Sequence, residues 1–528
     1  TQSYGYGWGT GTFGGASGVV STLNGSLQDD NAGTGGSGTS ITLTSVTNFP
    51  NSGTIKVGAE FISYTGITNL DLTGITRNVA GTRSAHSSGA GVEYYTGWGQ
   101  ASLSSTLSLD PASWSLDHFG QNLVATVKNG KVFEWLPIQS NVNALSTRAT
   151  LVTGTPTTNV MSIVSERDRH LILLGTETTI GTASSQDKMF IRFSDQEDIN
   201  TYTPKSTNTA GTFRLDSGVK IVGAAKGKDY ILILTDTSAY IMQFVGPPFT
   251  FSIRQVGSNC GLIGQKALRF VNGRVWWMGQ SGGFFVFDGT VKSVPCLVED
   301  FVFTDKNDNL GINYNAGEQV YAGLNHLYGE VLWFYPKAGS TEPDRVVTYN
   351  YDENTWTTGT LNRTSWHDQT LFDKPYATQF NSSGTPTFPT IQGATSILGS
   401  TIYYEHETGN NQVDAAGNTT AIPSFIQSGD FDLNVDGDGQ VFMSMRRFVP
   451  DFKRLVGEAQ ITINLRDYPT NTAASSPLGP FTITSSTDKV DTRARSRFAS
   501  LKIANLSKDQ SWRFGTFRAD IQPDGMRG

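Results

Sequence analysis

The stretch RVWWMGQSGGFFVFDG, residues 274–289, contains two short apolar runs separated by a glycine-rich turn. Residues 275–278 and 284–287 are aromatic or β-branched apart from one methionine, and such residues favour strands. Two runs of this kind around a glycine-rich turn predict a β-hairpin. The glycines supply the positive φ angles that a tight turn requires.

The same stretch fits the G-x-S-x-G pattern of hydrolase nucleophiles, with Ser281 as the serine. A nucleophile elbow needs a strand before the serine and a helix after it. Here a second strand follows instead. The five residues also resemble the GDSGG motif of trypsin-like proteases, but only His86, in SAHSSG, resembles a catalytic histidine segment. We therefore predict that Ser281 is a turn residue.

Pairs of apolar runs recur from about residue 110 to residue 420, with starts roughly 45 to 70 residues apart. They are NLVATV (122–127) with KVFEWL, HLILLG (170–175) with MFIRFS, DYILILT (229–235) with AYIMQF, RVWWMG with FFVFDG, EVLWFYP (330–336) with RVVTYNYDENTW, and a single TIYYEHE (401–407). This spacing is near the period of about 40–50 residues that is typical of propeller blades. We predict a β-propeller-like core of five to seven blades over residues 99–422. Stacked β-sandwiches are the alternative.

Three further regions complete an all-β protein. Residues 1–30 are rich in glycine and aromatic residues and form either an extended arm or an unstructured tail. Residues 31–98 contain alternating strand candidates and predict a small inserted β-domain. Residues 423–528 contain longer alternating runs, which predict a C-terminal β-sandwich domain.

The composition narrows the classes of function. Charged residues make up 16% of the 528 residues and the net charge is −7, whereas a protein that grips nucleic acid through phosphates is expected to be basic. Residues 423–528 carry 14 basic and 12 acidic residues, so the remaining chain carries 25 and 34 and holds the excess acidity. No apolar stretch reaches 18 residues, so we expect neither a signal peptide nor a membrane span.

No motif in the chain predicts catalysis or a cofactor. Cys260 and Cys296 belong to no C-x-x-C pair, which favours reduced thiols over a disulfide framework or a zinc site. The six histidines are scattered, and Glu197 and Asp198 are neighbours whose carboxylates are expected to point apart. We expect no catalytic, cofactor-binding or metal-binding residue, and a protein that is not an enzyme.

Two polar patterns leave a binding role open. Asp432, Asn434, Asp436 and Gly437 begin like a calcium loop, but Met443 stands where the bidentate glutamate belongs, so a polar turn is favoured.

Arg493, Arg495 and Arg497 alternate and would share one face of a strand, with Arg446 and Arg447 in the same domain. They would contact phosphate or an acidic partner subunit, or form a solvated strand face.

Several longer stretches resemble a family of bacteriophage tail structural proteins, and within it the nozzle proteins (tail tubular protein B) of short-tailed phages. They are IRFSDQED with TYTPKSTNTAG (191–211), WSLDHFGQNLVA (114–125), QFVGPPFTFSIRQVGSNCGLIG (243–264), EVLWFYPKAGSTEPDRVVTYNYDENTW (330–356), RRFVPDF (446–452) and WRFGTFRADIQPDGMRG (512–528). Residues 47–82 resemble a small β-module of phage virion proteins. The stretches together span residues 114–528.

The resemblance implies a structural virion protein of the phage tail, assembled in the host cytoplasm. It implies a homo-oligomeric ring, a hexamer, that contacts the head–tail adaptor ring and seats tail fibres or spikes. Genomic double-stranded DNA would pass through the ring with only transient, non-specific contact, and mildly acidic walls would let it slide.

Two other functions remain alternatives. One is a host-receptor-binding adhesin or fibre component that holds a carbohydrate, for which Trp276, Trp277 and Tyr403 are candidate contacts, although adjacent tryptophans in a strand face opposite sides. The other is a glycan depolymerase, which would need a carboxylate pair about 5–9.5 Å apart.

Overall fold

A computed structural model describes most of the chain. The described residues are 20–29, 40–47, 49, 51–94, 113–136, 149–304, 311–369, 372–380, 401–413, 418–433, 441–468 and 477–526. Within them nearly all regular structure is strand, and the helical segments are α1 (Glu299–Phe303) and two 3-10 turns, Ala183–Ser185 and Tyr314–Gln319. The chain divides into two compact units, residues 1–385 with 396–406, and residues 386–395 with 407–528.

The N-terminal region of the first unit contains two small sheets, in the orders β1-β8-β3-β4-β7 and β2-β6-β5. Its strands are β1 (Val20–Thr22), β2 (Ser40–Thr42), β3 (Gly53–Val57), β4 (Glu60–Tyr64), β5 (Gly66–Thr68), β6 (Asp71–Thr73), β7 (Thr76–Gly81) and β8 (Gly91–Tyr94). Because β1 pairs with β8 and Leu23 and Leu27 enter the shared core, this region begins before residue 31, where we predicted its start. The rest of the predicted arm, residues 1–19, lies outside the described residues.

The remainder of the first unit consists of six antiparallel sheets in which neighbouring strands follow one another in sequence. We name them blades 1 to 6. Blade 1 is β9 (Trp114–Phe119), β10 (Asn122–Val127), β11 (Val132–Trp135) and β12 (Thr150–Leu151); blade 2 is β13 (Met161–Ser165), β14 (His170–Leu174), β15 (Phe190–Phe193) and β16 (Gly211–Arg214); blade 3 is β17 (Ile221–Lys226), β18 (Ile231–Thr235), β19 (Ser238–Gly246) and β20 (Thr250–Ser258). Blade 4 is β21 (Leu268–Val271), β22 (Arg274–Met278), β23 (Phe284–Phe287) and β24 (Val291–Val294); blade 5 is β25 (Tyr321–Asn325), β26 (Glu330–Tyr335), β27 (Arg345–Asn350) and β28 (Thr355–Thr360); blade 6 is β29 (Ser365–His367), β30 (Tyr376–Phe380) and β31 (Thr401–Glu405).

The second strand of a blade supplies side chains to the blades on both sides. In β14 every residue is buried, and successive side chains of a strand point to opposite faces. Leu171 and Leu173 pack into the core shared with blade 1, whereas Ile172 and Leu174 pack into the core shared with blade 3. The strands β18 and β26 divide their side chains between two cores in the same way. Each of these blades is therefore a layer between two others.

The first strands of blades 1 and 2, and the segments that enter blades 4 and 5, lie side by side and run in the same direction. Ser162 N donates to Ser115 Oγ (3.0 Å) and Val164 N donates to Asp117 Oδ2 (2.7 Å), so β9 and β13 are parallel neighbours. Between blades 4 and 5, Lys266 forms a parallel bridge with Tyr321. Parallel first strands followed by outward meanders are typical of a propeller. The predicted all-β, propeller-like fold is confirmed, with six blade-like sheets among the described residues.

The second unit contains two sheets around one core. Their orders are β34-β39-β36-β37 and β38-β35-β40, beside a separate hairpin of β32 and β33. The strands are β32 (Asn411–Val413), β33 (Thr419–Ala421), β34 (Ser424–Gln427), β35 (Val441–Val456), β36 (Glu458–Arg466), β37 (Leu478–Thr484), β38 (Val490–Ser496), β39 (Phe498–Asn505) and β40 (Ser511–Met526). Buried residues from both sheets form one cluster, which confirms the predicted β-sandwich. The unit starts before residue 423, because Asn411 of the hairpin hydrogen-bonds Asp509.

The layered packing predicts a sharp contrast between two leucines. Leu173→Ala removes a side chain with no exposed surface and should lower the free energy of unfolding by about 2–5 kcal/mol. Leu151→Ala, on β12 with 48% of its surface exposed, should change it by no more than about 0.5 kcal/mol. Urea unfolding followed by tryptophan fluorescence measures both, and equal losses would contradict the packing scheme.

Candidate functional site

Charged side chains from blades that are not neighbours meet where the first strands converge. Glu318, in the 3-10 turn between blades 4 and 5, pairs with Lys128 of blade 1 (3.0 Å) and with Lys220 of blade 3 (3.1 Å). Lys266, just before blade 4, donates to the carbonyl of Trp114 at the start of blade 1 (2.7 Å). Blade 1 thus contacts Lys266 before blade 4 and Glu318 before blade 5, and Glu318 also contacts blade 3, which requires a narrow common axis.

A second set of ion pairs lies at the other end of the first strands. Lys226, the last residue of β17, pairs with Asp117 of β9 (2.6 Å) and with Glu166, which follows β13 (2.9 Å). Asp117 is largely buried and also accepts the Val164 N–H, whereas Glu166 is exposed. Lys128 and Lys220 pair with Glu318, and Lys226 pairs with Asp117 and Glu166. We call these contacts the axial ion pairs. A duplex whose major groove alone is about 12 Å wide does not fit through a space crossed by such contacts.

The axis also holds a partly solvated basic recess. The side chain of Lys266 is exposed, yet desolvation by the surrounding protein, together with the charge of Arg269 on β21, lowers its pKa to about 8. A side chain that solvent reaches but that protein surrounds on most sides lies in a recess. An amine with this pKa is partly neutral near pH 8. A neutral amine still has N–H groups, so it can donate to the Trp114 carbonyl after its charge is lost.

The structure places Ser281 in the turn between β22 and β23. Gly279 N donates to the carbonyl of Gly283 (2.9 Å), and Gly282 and Gly283 have φ angles of 98° and 79°. His86, the other residue of the protease-like pattern, pairs instead with Glu60 in the N-terminal region. Glu60 is also paired with the buried Arg77, so this histidine belongs to a structural ion-pair cluster.

The other titratable candidates do not converge into a site. Asp198 accepts from the Thr201 hydroxyl and the Asn200 N–H, whereas the exposed Glu197 approaches Arg169, so the two carboxylates point apart as predicted.

Asn434, Asp436 and Gly437 of the calcium-like loop lie outside the described residues. Among the described residues no three His, Cys, Asp or Glu side chains are grouped closely enough to bind a metal. Both cysteines of the described chain are free thiols, and no described helix is long and apolar enough to span a membrane.

Arg495, one of the alternating arginines of the second unit, makes contacts that the sequence did not indicate. Ala494 and Ser496 are buried, so Arg493 and Arg495 lie on the opposite, exposed face of β38. Arg495 pairs with Asp524 and its guanidinium lies 4.2 Å from the ring centroid of Phe442. Cation–π stacking holds this side chain against its own domain.

Both tryptophans of β22 are core residues, whereas Tyr403 is exposed. Trp277 has no exposed surface and donates its indole N–H to the carbonyl of Cys260 (2.8 Å). Trp276 packs toward blade 5 with its ring centroid 5.3 Å from that of Tyr349. Tyr403, in blade 6, has 62% of its surface exposed and stacks on Tyr376.

Sequence inspection missed His170, which is fully buried at the start of β14. Its ring lies against Phe193, Phe244 and Phe251, and its Nε2 hydrogen-bonds the hydroxyl of Thr209 (3.1 Å). Burial lowers the pKa of His170 to about 4, because the aromatic surroundings disfavour the charged imidazolium. The histidine is therefore a neutral structural residue at pH 7.

The axial ion pairs predict unequal roles for two carboxylates that share Lys226. Asp117→Ala leaves the Val164 N–H and Lys226 without their partner and should lower the free energy of unfolding by about 2–4 kcal/mol. Glu166→Ala, at an exposed position, should lower it by no more than about 1 kcal/mol. The comparison is made by urea unfolding at low and high salt. If the two variants lose the same stability, Asp117 does not anchor the axis.

His170 predicts a decline in stability under mild acid. Its pKa is about 4 in the folded chain and 6.5 when unperturbed, so only the unfolded state takes up the proton between these values. The contribution is complete above about pH 6.5 and is lost as the pH falls toward 4, by roughly 3 kcal/mol at most.

His170→Gln should reduce the dependence of unfolding free energy on pH in this window by about half, because burial also lowers the pKa of His406 to about 4 and that histidine contributes over the same range. His118→Gln, at an exposed position of β9, is the matched control for the substitution itself. Urea titrations at several pH values between 4.5 and 7 measure both slopes. A His170→Gln slope identical to that of the parent would show that another group governs the acid response.

Comparison with known proteins yields distant structural similarity. No protein-family model and no curated protein sequence matches the chain. Among solved structures, Hsv2 of Kluyvelomyces marxianus matches with 8% identity and a TM-score of 0.29, covering 50% of this chain and 67% of that one. The designed protein Ika8 matches with 11% identity and a TM-score of 0.31 over 70% and 96% of the two chains. The extracellular domain of BT4673 from B. thetaiotaomicron matches with 10% identity and a TM-score of 0.30 over 59% and 37%. The TM-scores of these matches are too low to indicate a function. The fold assignment rests on the sheets described above.

Proposed function

We propose that this chain is a structural subunit of a bacteriophage tail that assembles into a ring-shaped nozzle. The ring forms a conduit for the genome and a platform for fibres. The observation that carries the proposal is the set of stretches between residues 114 and 528 that resemble phage tail nozzle proteins. These stretches fall on several different blades and on the β-sandwich.

Because side-chain contacts cross the axis of the propeller, we place the DNA conduit between several subunits and not inside a single propeller. Contacts of 2.6–3.0 Å join blade 1 to blade 3, to Lys266 before blade 4 and to Glu318 before blade 5, and they occupy the axis of a single chain. A passage wide enough for duplex DNA therefore needs several copies around a shared opening. Head-to-tail contacts close into a ring when the rotation between copies divides a full turn.

Exposed apolar side chains on the propeller suit contacts with neighbouring copies. The hairpin of β19 and β20, with nine residues in each strand, is the longest of the described blades. At its tip Val245 and Phe249 have 54% and 76% of their surfaces exposed. Burying one such side chain stabilises a contact by about 1.5–3 kcal/mol.

The charge distribution suits a passage that does not retain DNA. Residues 1–422 carry 25 basic and 34 acidic side chains. Walls rich in lysine and arginine would bind phosphates by releasing counterions and would slow the polymer. An acidic surface repels the phosphates instead, which lets the genome slide.

Electron microscopy of the purified chain and of virions that contain it tests the proposal. We expect closed rings of six copies with a central opening, located at the distal end of the tail. Sedimentation should give the mass of six 57.1 kDa chains, and the rings should bind duplex DNA no better at low salt than at physiological salt.

Monomers in solution, or copies located at fibre tips, would overturn the nozzle assignment and favour the receptor-binding alternative. Strong, salt-dependent retention of DNA would contradict the sliding mechanism even if rings form.

A further inference from the structure

The strand β34 (Ser424–Gln427) lies at the edge of the sandwich sheet β34-β39-β36-β37 and pairs with β39 alone. Ser428 N donates to the carbonyl of Leu501 (2.9 Å), so the residues that bond to β39 are every second one, at 424, 426 and 428. The N–H and C=O groups of Phe425 and Gln427 therefore point away from β39. Nothing in the described part of the chain hydrogen-bonds these groups, and we call them the open edge.

The other three edge strands of the sandwich carry features that oppose pairing. Pro480 in β37 has no N–H to donate, β38 alternates the exposed Arg493 and Arg495, and β40 contains Pro523 and shifts its register several times against β35. Charged residues, prolines and bulges are common means by which proteins keep sheet edges from pairing with other chains. The strand β34 contains neither a charged residue nor a proline. Its edge is therefore the one best suited to accept a further strand.

The core of the sandwich is also uncovered beside the open edge. Ile426 lies directly opposite Ile503, so both side chains are on the core-facing side of the sheet. Ile503 is buried in the core cluster, whereas Ile426 has 54% of its surface exposed. On the outer face Phe425 is 66% exposed, and the centroid of its ring lies 4.7 Å from the Lys502 Nζ. A strand added at this edge would bury apolar surface on both sides of the sheet.

The chain contains a segment with a matching pattern before its first described strand. Residues 4–12 read YGYGWGTGT, in which Tyr4, Tyr6 and Trp8 alternate with glycines and two threonines follow at the same period. In a strand this period of two places all the larger side chains on one face and only glycines on the other. Aromatic residues and threonine favour strands, and glycine lets a second backbone approach closely. The first charged residue of the chain is Asp29, so the segment brings no charge to an apolar edge.

We propose that residues 4–12 of one copy add to β34 of a second copy as a further strand. The main-chain groups of Phe425 and Gln427 supply the hydrogen bonds, and alternate side chains of the added strand supply the specificity. Its aromatic face lies toward the core and covers Ile426, while its glycine face lies on the outer side. The contact requires no particular number of copies, so this inference does not rest on the proposed nozzle.

A fluorescent peptide of residues 1–15 tests the addition of the strand. The receptor is the full chain with Tyr4→Ser, Tyr6→Ser and Trp8→Ser, which we call the arm variant, so that its own segment does not compete. Fluorescence anisotropy should give a Kd of about 10–500 µM. A peptide of the same composition with its glycines grouped together loses the alternation and should bind about tenfold more weakly or not at all.

Two changes at one position isolate the main-chain hydrogen bonds. Gln427→Pro in the arm variant removes an outward N–H without disturbing the ladder to β39, and should weaken peptide binding about tenfold. Gln427→Ala keeps this N–H and should bind like the arm variant. Ile426→Thr removes apolar surface and should weaken binding about fivefold, whereas Val449→Thr, at an exposed position of the other sheet, should leave the Kd unchanged. Circular dichroism should confirm that all variants fold.

Sedimentation of the full chain tests whether the strand comes from a second copy. The arm variant and Gln427→Pro should both associate at least about tenfold more weakly than the parent, and Gln427→Ala should associate like it. The proposal is overturned if the peptide does not bind, if Gln427→Pro and Ile426→Thr bind it as well as Gln427→Ala does, or if the arm variant associates like the parent. Rings that form without peptide binding would remove this inference alone, and peptide binding without six-copy rings would remove the nozzle alone.

Discussion

A strand that is buried on both faces must divide its side chains between two neighbours, and the propeller depends on this constraint. In β14, β18 and β26 successive apolar residues enter different cores, so none of these three blades has a core of its own. The sheets are stable only as members of a series. The positions of the axial ion pairs follow from this layering, because they lie where two or more blades adjoin.

Much of the fold could be predicted from local sequence. The hairpin at residues 274–289 and the repeated pairs of apolar runs indicated a propeller, because strand periodicity and turn residues are local properties. The sequence predicts only a range of blade numbers, because short outer strands such as β12 and β16 carry few apolar residues. Residues 20–27 resemble a glycine-rich arm in the sequence, because β1 becomes part of a sheet only through its distant partner β8, so the predicted start at residue 31 falls after this strand.

The sites could not be predicted in the same way. Glu318 meets Lys128 and Lys220 across the axis, and nothing near any of the three residues in sequence indicates the others. In the sequence Trp276 and Trp277 are equivalent halves of an aromatic pair, whereas in the structure Trp277 donates its indole N–H to the Cys260 carbonyl and Trp276 packs toward Tyr349. The spacing of residues in the sequence indicates which face of a strand a side chain occupies. A binding site depends instead on which strands, distant in sequence, lie next to each other in the fold.

The axial ion pairs also set an order of events in time. Lys128 and its partner Glu318 are 190 residues apart in the chain, and Lys266 is 152 residues from the Trp114 carbonyl that it contacts. At a synthesis rate of about 5–20 residues per second, blade 1 exists for roughly 10–40 s before Glu318 leaves the ribosome. During that interval Lys128 has no carboxylate from the 3-10 turn to pair with, and the last blades are still missing. The newly made half-propeller therefore exposes an unfinished apolar layer, and it is the species that chaperones or neighbouring copies would meet first.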